Sequence, residues 1–177
     1  MADMSFVITG DYSDEVVRTA NTRIRAALEA IGIQAVSHAQ QNVTKGVPRT
    51  KGSWYVPKGA AGLRGSISHQ VKILDSAVYI GTNNEHAAYN EYGTGKFASD
   101  GKGRKGWWVY VPNSTVKGKN SHKIYTEAEA RKIVAIMRSE GLDAHMTQGM
   151  KPLHFLKNAV TENWEEYKRI LRQYLNV

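Results

Sequence analysis

Cysteine is absent from the chain, which excludes disulfide staples, thiolate metal ligands and thiol nucleophiles together. Long hydrophobic runs are also missing: none approaches the roughly 20 apolar residues of a bilayer-spanning helix. Met1 to Gly10 lacks the basic and apolar regions of a secretory signal, so the expectation is a protein cytosolic at synthesis with no membrane contact. Acidic side chains are in deficit, 16 against 24 basic ones, and the formal charge is +8. What remains is ordinary for a globular protein, with 41% hydrophobic and 23% charged residues in 177. That length suits one domain, residues 1–177, with a real core.

The excess charge is concentrated. Residues 44–72 carry Lys45, Arg49, Lys51, Lys58, Arg64 and Lys72 and no acid, and residues 96–123 carry seven basic residues against Asp100. Both stretches are rich in Gly, Ser and Thr, the composition of loops. Two basic loops suit a polyanionic partner, nucleic acid or an acidic protein surface, and equally suit plain solvated charge.

Apolar periodicity predicts a helix over residues 14 to about 42. Val17, Ala20, Ile24, Ala27, Leu28, Ile31, Ala35 and Ala39 form one stripe, Ser13 or Asp14 is placed to cap it, and Gly32 marks a possible bend. Residues 49–62 read as irregular, with Trp54 and Tyr55 either exposed anchors for a partner or caps on the core. From Leu63 the period changes to two. A strand to Ile73, a turn at Asp75-Ser76 and a returning strand Ala77 to Thr82 make a β-hairpin, although the first residues after Leu63 also fit a helical turn. A short helical piece follows through Tyr92 and stops at Gly93-Thr94-Gly95. Trp107 to Val111 reads as a strand, Thr126-Glu127-Ala128-Glu129 as a capping box opening a helix, and 143–150 as a further short strand. A last long helix starts at Pro152, with Leu156, Ala159, Val160, Trp164, Tyr167, Ile170, Leu171 and Tyr174 at helical spacing. The fold class is α+β: a small antiparallel sheet packed against two long helices, N-terminal and C-terminal, with an inserted strand–helix elaboration at 96–150.

No catalytic, cofactor or metal set emerges. Glu85 and Glu91, six apart, face different sides of a helix. His69, His86, His122 and His154 lack metal-ligand spacing, and Ser66 and Ser68 lie on a strand without a nucleophile elbow. The glycines at 93, 95, 101, 103 and 106 lack the Lys-Ser/Thr that completes a phosphate loop. Asp75, Glu85, Glu91 and Asp100 are the only carboxylates between residues 44 and 123. The chain is expected not to be an enzyme; a metal-dependent hydrolase on Glu91 and His86 is only a residual reading.

Four segments carry a resemblance. They are Gly62-Leu63-Arg64-Gly65-Ser66-Ile67, Val78-Tyr79-Ile80-Gly81-Thr82-Asn83, Ala87-Ala88-Tyr89-Asn90-Glu91-Tyr92-Gly93-Thr94-Gly95, and Lys151-Pro152-Leu153-His154-Phe155-Leu156-Lys157-Asn158-Ala159. In order and spacing the set resembles the phage minor tail-component or neck family, the proteins that complete the tail and join it to the head. The resemblance covers roughly residues 10–95 and 149–177. It departs in the 55 or so residues between Gly95 and Lys151, where many relatives have a much shorter link.

The resemblance implies a structural virion protein at the head–tail junction, acting through a homo-oligomeric ring and contacts with other neck and tail proteins. Tail termination is the alternative within that class. A non-catalytic nucleic-acid-binding module is the alternative outside it, using loops 44–62 and 96–123 with Trp54, Tyr55, Trp107 and Trp108 for stacking. Candidate interface residues are Arg49, Lys51, Trp54, Tyr55, Lys58, Lys96, Lys102, Arg104 and Lys105. In the motif segments Gly93 and Gly95 permit a sharp turn. Glu91 either accepts hydrogen bonds there or is a solvated helix-end charge. Tyr89 and Tyr92 share a helix face, expected to pack in the core, with an interface as the sharper option. Pro152, Phe155 and Leu156 are expected to fix where the C-terminal helix joins the core. The 96–150 elaboration is expected to extend the sheet and add contact surface.

Overall fold

The apolar recurrence near the N-terminus produces α1, Ser13–Lys45, the longest element of the protein. The computed structural model describes residues 10, 12–48, 54–55, 60–112 and 123–176. Ser13 is the first helical residue and Tyr12 holds the cap position without a side-chain cap bond, so the expected Ser13 or Asp14 cap is not the arrangement found. The expected apolar stripe is buried only over its second half. Ala27, Leu28, Ala35, Ala39 and Val43 are buried, whereas residues 12–23 are all exposed, Val17 and Ala20 among them.

After α1 come two two-residue strands, β1 (Val47–Pro48) and β2 (Trp54–Tyr55), paired antiparallel. The residues after Leu63 take the helical alternative as the end of α2, Ala60–Gly65, and the strand proper is β3, Ile67–Lys72. It pairs with β4, Ala77–Thr82, in the register Ile67 opposite Thr82 through Lys72 opposite Ala77. The turn between them closes with the Ser76 N–H donating to the Ile73 carbonyl. Positions 67, 69 and 71 of β3 face inward, so the alternation places His69, not only Ile67 and Val71, toward α1. Gly32 makes room for it. A Cβ there would overlap the His69 ring, so this glycine serves a close approach rather than the bend its sequence suggests.

The expected short helix is α3, Ala87–Tyr92. Beyond it lie a single 3₁₀ turn at Gly95–Phe97, β5 at Trp108–Tyr110, α4 at Glu127–Ser139 and β6 at His145–Thr147. The capping box on α4 is present. The Glu129 N–H donates to Thr126 Oγ1, and the Thr126 N–H donates to Glu129 Oε2 at 2.8 Å. β5 pairs with β6, not with β3–β4, so the elaboration builds its own two-stranded sheet instead of extending the hairpin. Two-residue to three-residue strands hold few ladder bonds, and α4 covers this one with buried Ala130 and Val134.

The C-terminal helix starts later than Pro152 and is broken. α5 is Phe155–Thr161 and α6 is Trp164–Leu175. Asn163 causes the break: its side-chain amide takes the Ala159 carbonyl at 2.9 Å, and the Tyr167 hydroxyl donates to the same oxygen at 2.7 Å. A short amide competing for a main-chain acceptor interrupts the helix ladder. Of the expected stripe, Val160, Trp164 and Tyr174 are exposed while Tyr167 is buried.

α1 is the spine. It packs on α5, α6 and the β3–β4 hairpin, and the core gathers Ala39, Val43, Leu63, Ile67, Ala87, Leu153, Phe155 and Ala159. Burial of a side chain such as Phe155 stabilises the fold by about 2–3 kcal/mol. This core draws on residues from the first, third and fourth motif segments, and Ile80 of the second packs against it.

Candidate interaction surface

α3 divides the third motif segment between two jobs. With 3.6 residues per turn, Ala87, Asn90 and Glu91 fall on one face and Tyr89 and Tyr92 on the other. The first three are buried. Tyr89 is 55% exposed and Tyr92 61% exposed, so these tyrosines are not the core residues their spacing suggests. The inner face is occupied by Ala87 and by two polar groups, Glu91 and Asn90, whose Nδ2 donates to the His86 carbonyl while its Oδ1 is buried without a partner among the described residues.

Glu91 is the main one of those groups. It is 5% exposed, and its Oε2 and Oε1 accept the N–H groups of Leu156 and Lys157 at 2.9 and 3.0 Å. Those are orphan donors in the first turn of α5, where a carboxylate also suits the positive end of the helix dipole. Of the two readings open to Glu91, hydrogen-bond acceptor is the one found, and its target is α5 sixty-odd residues away. The Asn90 and Glu91 carbonyls accept the Leu153 and His154 N–H groups, which fixes the approach to α5. His154 takes a left-handed conformation at φ 50° to make the turn. Pro152 is half-buried here, Phe155 is fully buried, and Leu156 packs against the core. Asn42 of α1 reaches the same corner, donating to the Phe155 carbonyl at 3.2 Å.

The Gly93-Thr94-Gly95 turn binds the other flank of this corner. The Thr94 N–H donates to the Met150 carbonyl, the Met150 N–H to Thr94 Oγ1, and the Lys96 N–H to the Gln148 carbonyl. Gly93 has φ 73°, and a Cβ on it would lie 2.8 Å from the Met150 and Phe97 oxygens. Gly95 likewise has positive φ and lies against Trp108 and the Gln148 backbone. The chain therefore leaves the body after Thr94 and returns at residue 148 to the same place.

The first two segments are joined in the same way. Ser66 Oγ donates to the Leu63 carbonyl and lies 2.5 Å from Thr82 Oγ1, which in turn accepts the Asn84 N–H. Leu63 and Ile67 are buried; Gly62 and Arg64 are exposed, and neither Gly62 nor Gly81 has a close neighbour at its Cβ position.

Of the candidate interface residues, Lys96, Lys102, Arg104 and Lys105 are exposed on the loop after α3. That loop is tied to the C-terminal end of α3, because the Ser99 N–H and hydroxyl both donate to the Tyr92 carbonyl, at 2.8 and 3.0 Å. None of the four cations forms an ion pair among the described residues. Asp100, the acid among them, accepts the Lys102 backbone N–H. Arg104 stacks its charge over the Trp108 ring at 5.9 Å, a cation–π contact. Trp107 and Trp108 are half-buried, Trp107 bridged to Tyr125 through two backbone bonds, so neither is an open stacking platform. Arg49, Lys51 and Lys58 lie outside the described residues, as does His122. Trp54 and Tyr55 form β2; the choice between anchor and core cap concerns side chains outside the description.

Two arrangements have no counterpart in the sequence reading. In the first, His38 and Tyr167 face each other at 2.9 Å. Because the Tyr167 hydroxyl hydrogen goes to Ala159, His38 Nδ1–H is the donor, and its Nε2 stands 3.6 Å from Glu166. Burial, reinforced by the Glu166 charge, pushes the Tyr167 hydroxyl up to about 12. In the second, His69 Nε2 lies 2.8 Å from Glu29 Oε2, across the hairpin–α1 interface. Both join residues far apart in sequence, and only the inward parity of position 69 hinted at either.

Among the described residues no group of three or more His, Asp or Glu side chains is placed to hold a metal ion, and no helix is long and apolar enough to cross a membrane. His86 and Glu91 do not converge: Glu91 is committed to α5, and His86 is exposed against Tyr89. No protein-family model, curated protein or solved structure matches the chain.

Proposed function

We propose that this chain is a structural subunit of a tailed-phage virion, placed at the head–tail junction and acting through contacts with its own copies and with neck or tail proteins. The observation that carries the reading is the split of the third motif segment. Its buried residues lock α3 to α5, its two tyrosines stand in solvent, and the loop that follows carries Lys96, Lys102, Arg104 and Lys105, all exposed. Tyrosine and arginine are the residue types that interfaces favour over the rest of a surface. The resemblance of the four segments to neck proteins supplies the identity of the assembly. Their convergence on one core and its flanking hydrogen bonds supplies a physical reason for such residues to occur together. A ring requires two different patches on each subunit to meet, and a surface on one end of the molecule suits that demand. Termination of the tail tube is a variant of the same role.

The second reading, nucleic-acid binding, is favoured by the exposure of Lys96, Lys102, Arg104 and Lys105 on the loop that follows the helix bearing exposed Tyr89 and Tyr92. It is weakened by the partial burial of Trp107 and Trp108. It requires DNA binding that falls steeply with salt.

The test is electron microscopy of particles from a phage or prophage whose copy of this reading frame is disrupted. DNA-filled heads beside unattached tails are the expected result. Filled heads without proper tails assign the protein to tail assembly itself, and intact infectious virions overturn the proposal.

A further inference from the structure

The first third of α1 is an arm. Residues 12–23 are all exposed. α6 reaches back to Arg23, whose guanidinium lies 3.3 Å from the side-chain amide of Asn176, and some 15 Å of helix precedes that point. The arm has little of the usual support of a helix end. Tyr12 holds the cap position with no side-chain cap bond, and Val16, Val17, Thr19 and Thr22 lose χ1 freedom in a helix. A helical arm of such residues gains stability by packing against a partner.

One side of the arm is apolar. Val16 and Val17 are 64% and 56% exposed, and with Ala20 and Ile24 they continue the stripe that Ala27 and Leu28 bury farther along. Asp14, Arg18 and Arg25 follow one flank of that stripe at helical spacing, whereas Glu15 and Arg23 fall on other sides of the helix. Asp14, Arg18 and Arg25 are exposed, and none forms an ion pair among the described residues. Their order selects a geometry for self-pairing. Laid parallel on a second copy, this flank meets the opposite flank of its partner, and Arg18 faces Arg23 cation to cation. Laid antiparallel about a two-fold axis, the same flanks meet with their order reversed. Asp14 of each copy then faces Arg25 of the other, and the helix dipoles oppose as well.

We infer that the arm pairs with the arm of a second copy, antiparallel about a two-fold axis near Thr19 and Ala20. Val16, Val17, Ala20 and Ile24 form the apolar centre, and two Asp14–Arg25 pairs stand at its rim. Twelve residues a side is below the roughly 20–30 of a standard interface, so the pair is a weak one. An isologous contact closes on itself and is therefore separate from the head-to-tail contacts that a ring needs. It concerns the free chain and goes beyond the assembly reading.

The absence of cysteine makes the test clean, because an introduced thiol is the only one in the chain. Ala20 lies beside the axis, so Ala20→Cys is expected to form a disulfide-linked dimer under mild oxidation. The two copies of Tyr12 stand about 22 Å apart along the pair, far beyond the roughly 7 Å between Cα atoms that a disulfide spans. Tyr12→Cys, also exposed, is therefore expected to stay unlinked. Sedimentation velocity of the cysteine-free chain gives the affinity. Asp14→Lys and Arg25→Glu each set like charges face to face and are expected to weaken the dimer about fivefold, more at low salt. The double variant Asp14→Lys/Arg25→Glu again sets opposite charges face to face and is expected to recover wild-type affinity. Damage to the helix itself would add in the double variant instead of cancelling. Wild-type chain that stays monomeric at the highest soluble concentration would overturn the contact. So would Tyr12→Cys that links as readily as Ala20→Cys, the mark of a parallel pair or random collision, or a double variant weaker than either single one. All of these readouts use the purified chain, and particles from the disrupted frame bear on the assembly role alone, so the two can fail separately.

Discussion

Replacing Glu91 with alanine is expected to lower stability by about 3 kcal/mol. A hydrogen bond to a charged acceptor contributes about 1.5–3 kcal/mol, and Glu91 makes two, to the Leu156 and Lys157 N–H groups. The full sum is not expected, because the two ends of the carboxylate differ. Lys157 is exposed, so water can take over its N–H; Leu156 is half-buried and packed on the core, so its N–H is left poorly solvated. The loss then exceeds the roughly 0.5–2 kcal/mol that an ordinary helix cap contributes. In a chain of this size it corresponds to a fall in Tm of about 6–12 °C. Urea unfolding followed by circular dichroism measures it directly. Glu91→Gln keeps the shape and one acceptor but turns an NH2 group toward the second N–H, so it should recover only part of the loss. Glu85→Ala removes an exposed carboxylate from the same stretch and should stay within about 0.5 kcal/mol of wild type. A Glu91→Ala protein as stable as the Glu85→Ala control would refute the claim that this side chain joins α3 to α5.

Three further outcomes follow from the geometry. Gly32→Ala improves helix propensity by about 1 kcal/mol, yet its methyl would overlap the His69 ring, so the protein should be destabilised; His69→Ala in the same chain should reverse the sign. Tyr167 titrates at about 12 in the folded protein against an ordinary 10, so its neutral form is favoured by folding. That contribution is complete below pH 10 and lost as pH rises through about 12, and Tyr167→Phe should flatten the alkaline limb of the stability–pH curve. At the other extreme, the Thr126 backbone N–H and then its hydroxyl hold the Glu129 carboxyl below its usual 4.5. The capping box therefore stabilises α4 above that pH and fades as pH falls below it; Thr126→Ala should lower the urea midpoint and weaken this acid-side dependence, because the backbone N–H remains, and Glu129→Ala should remove it.

The sequence announced most of what is decided locally. The long first helix, the β3–β4 hairpin, the α4 capping box and the stop after Tyr92 each depend on residues within a few positions of one another. What it left open depends on partners far along the chain. Glu91 had two equal readings because its partners are 65 and 66 residues away. The periodicity of α3 showed that Tyr89 and Tyr92 share a face but not which face is inside; Asn90 and Glu91, both polar, hold the inner one. The C-terminal stripe read as one helix because Asn163 does not disturb the apolar spacing, although its amide breaks the ladder. The pairing of β5 with β6 joins strands separated by a loop and a helix, and three-residue strands carry too little pattern to choose a partner.

The central claim is that the chain acts by joining pieces of a particle, and reconstitution tests it most directly. Purified chain is added to a lysate of the disrupted phage that contains filled heads and free tails, and infectious titre and joined particles are counted. The account predicts that wild-type chain restores both. Titre that stays at the level of the untreated lysate, with heads and tails still apart, would contradict it.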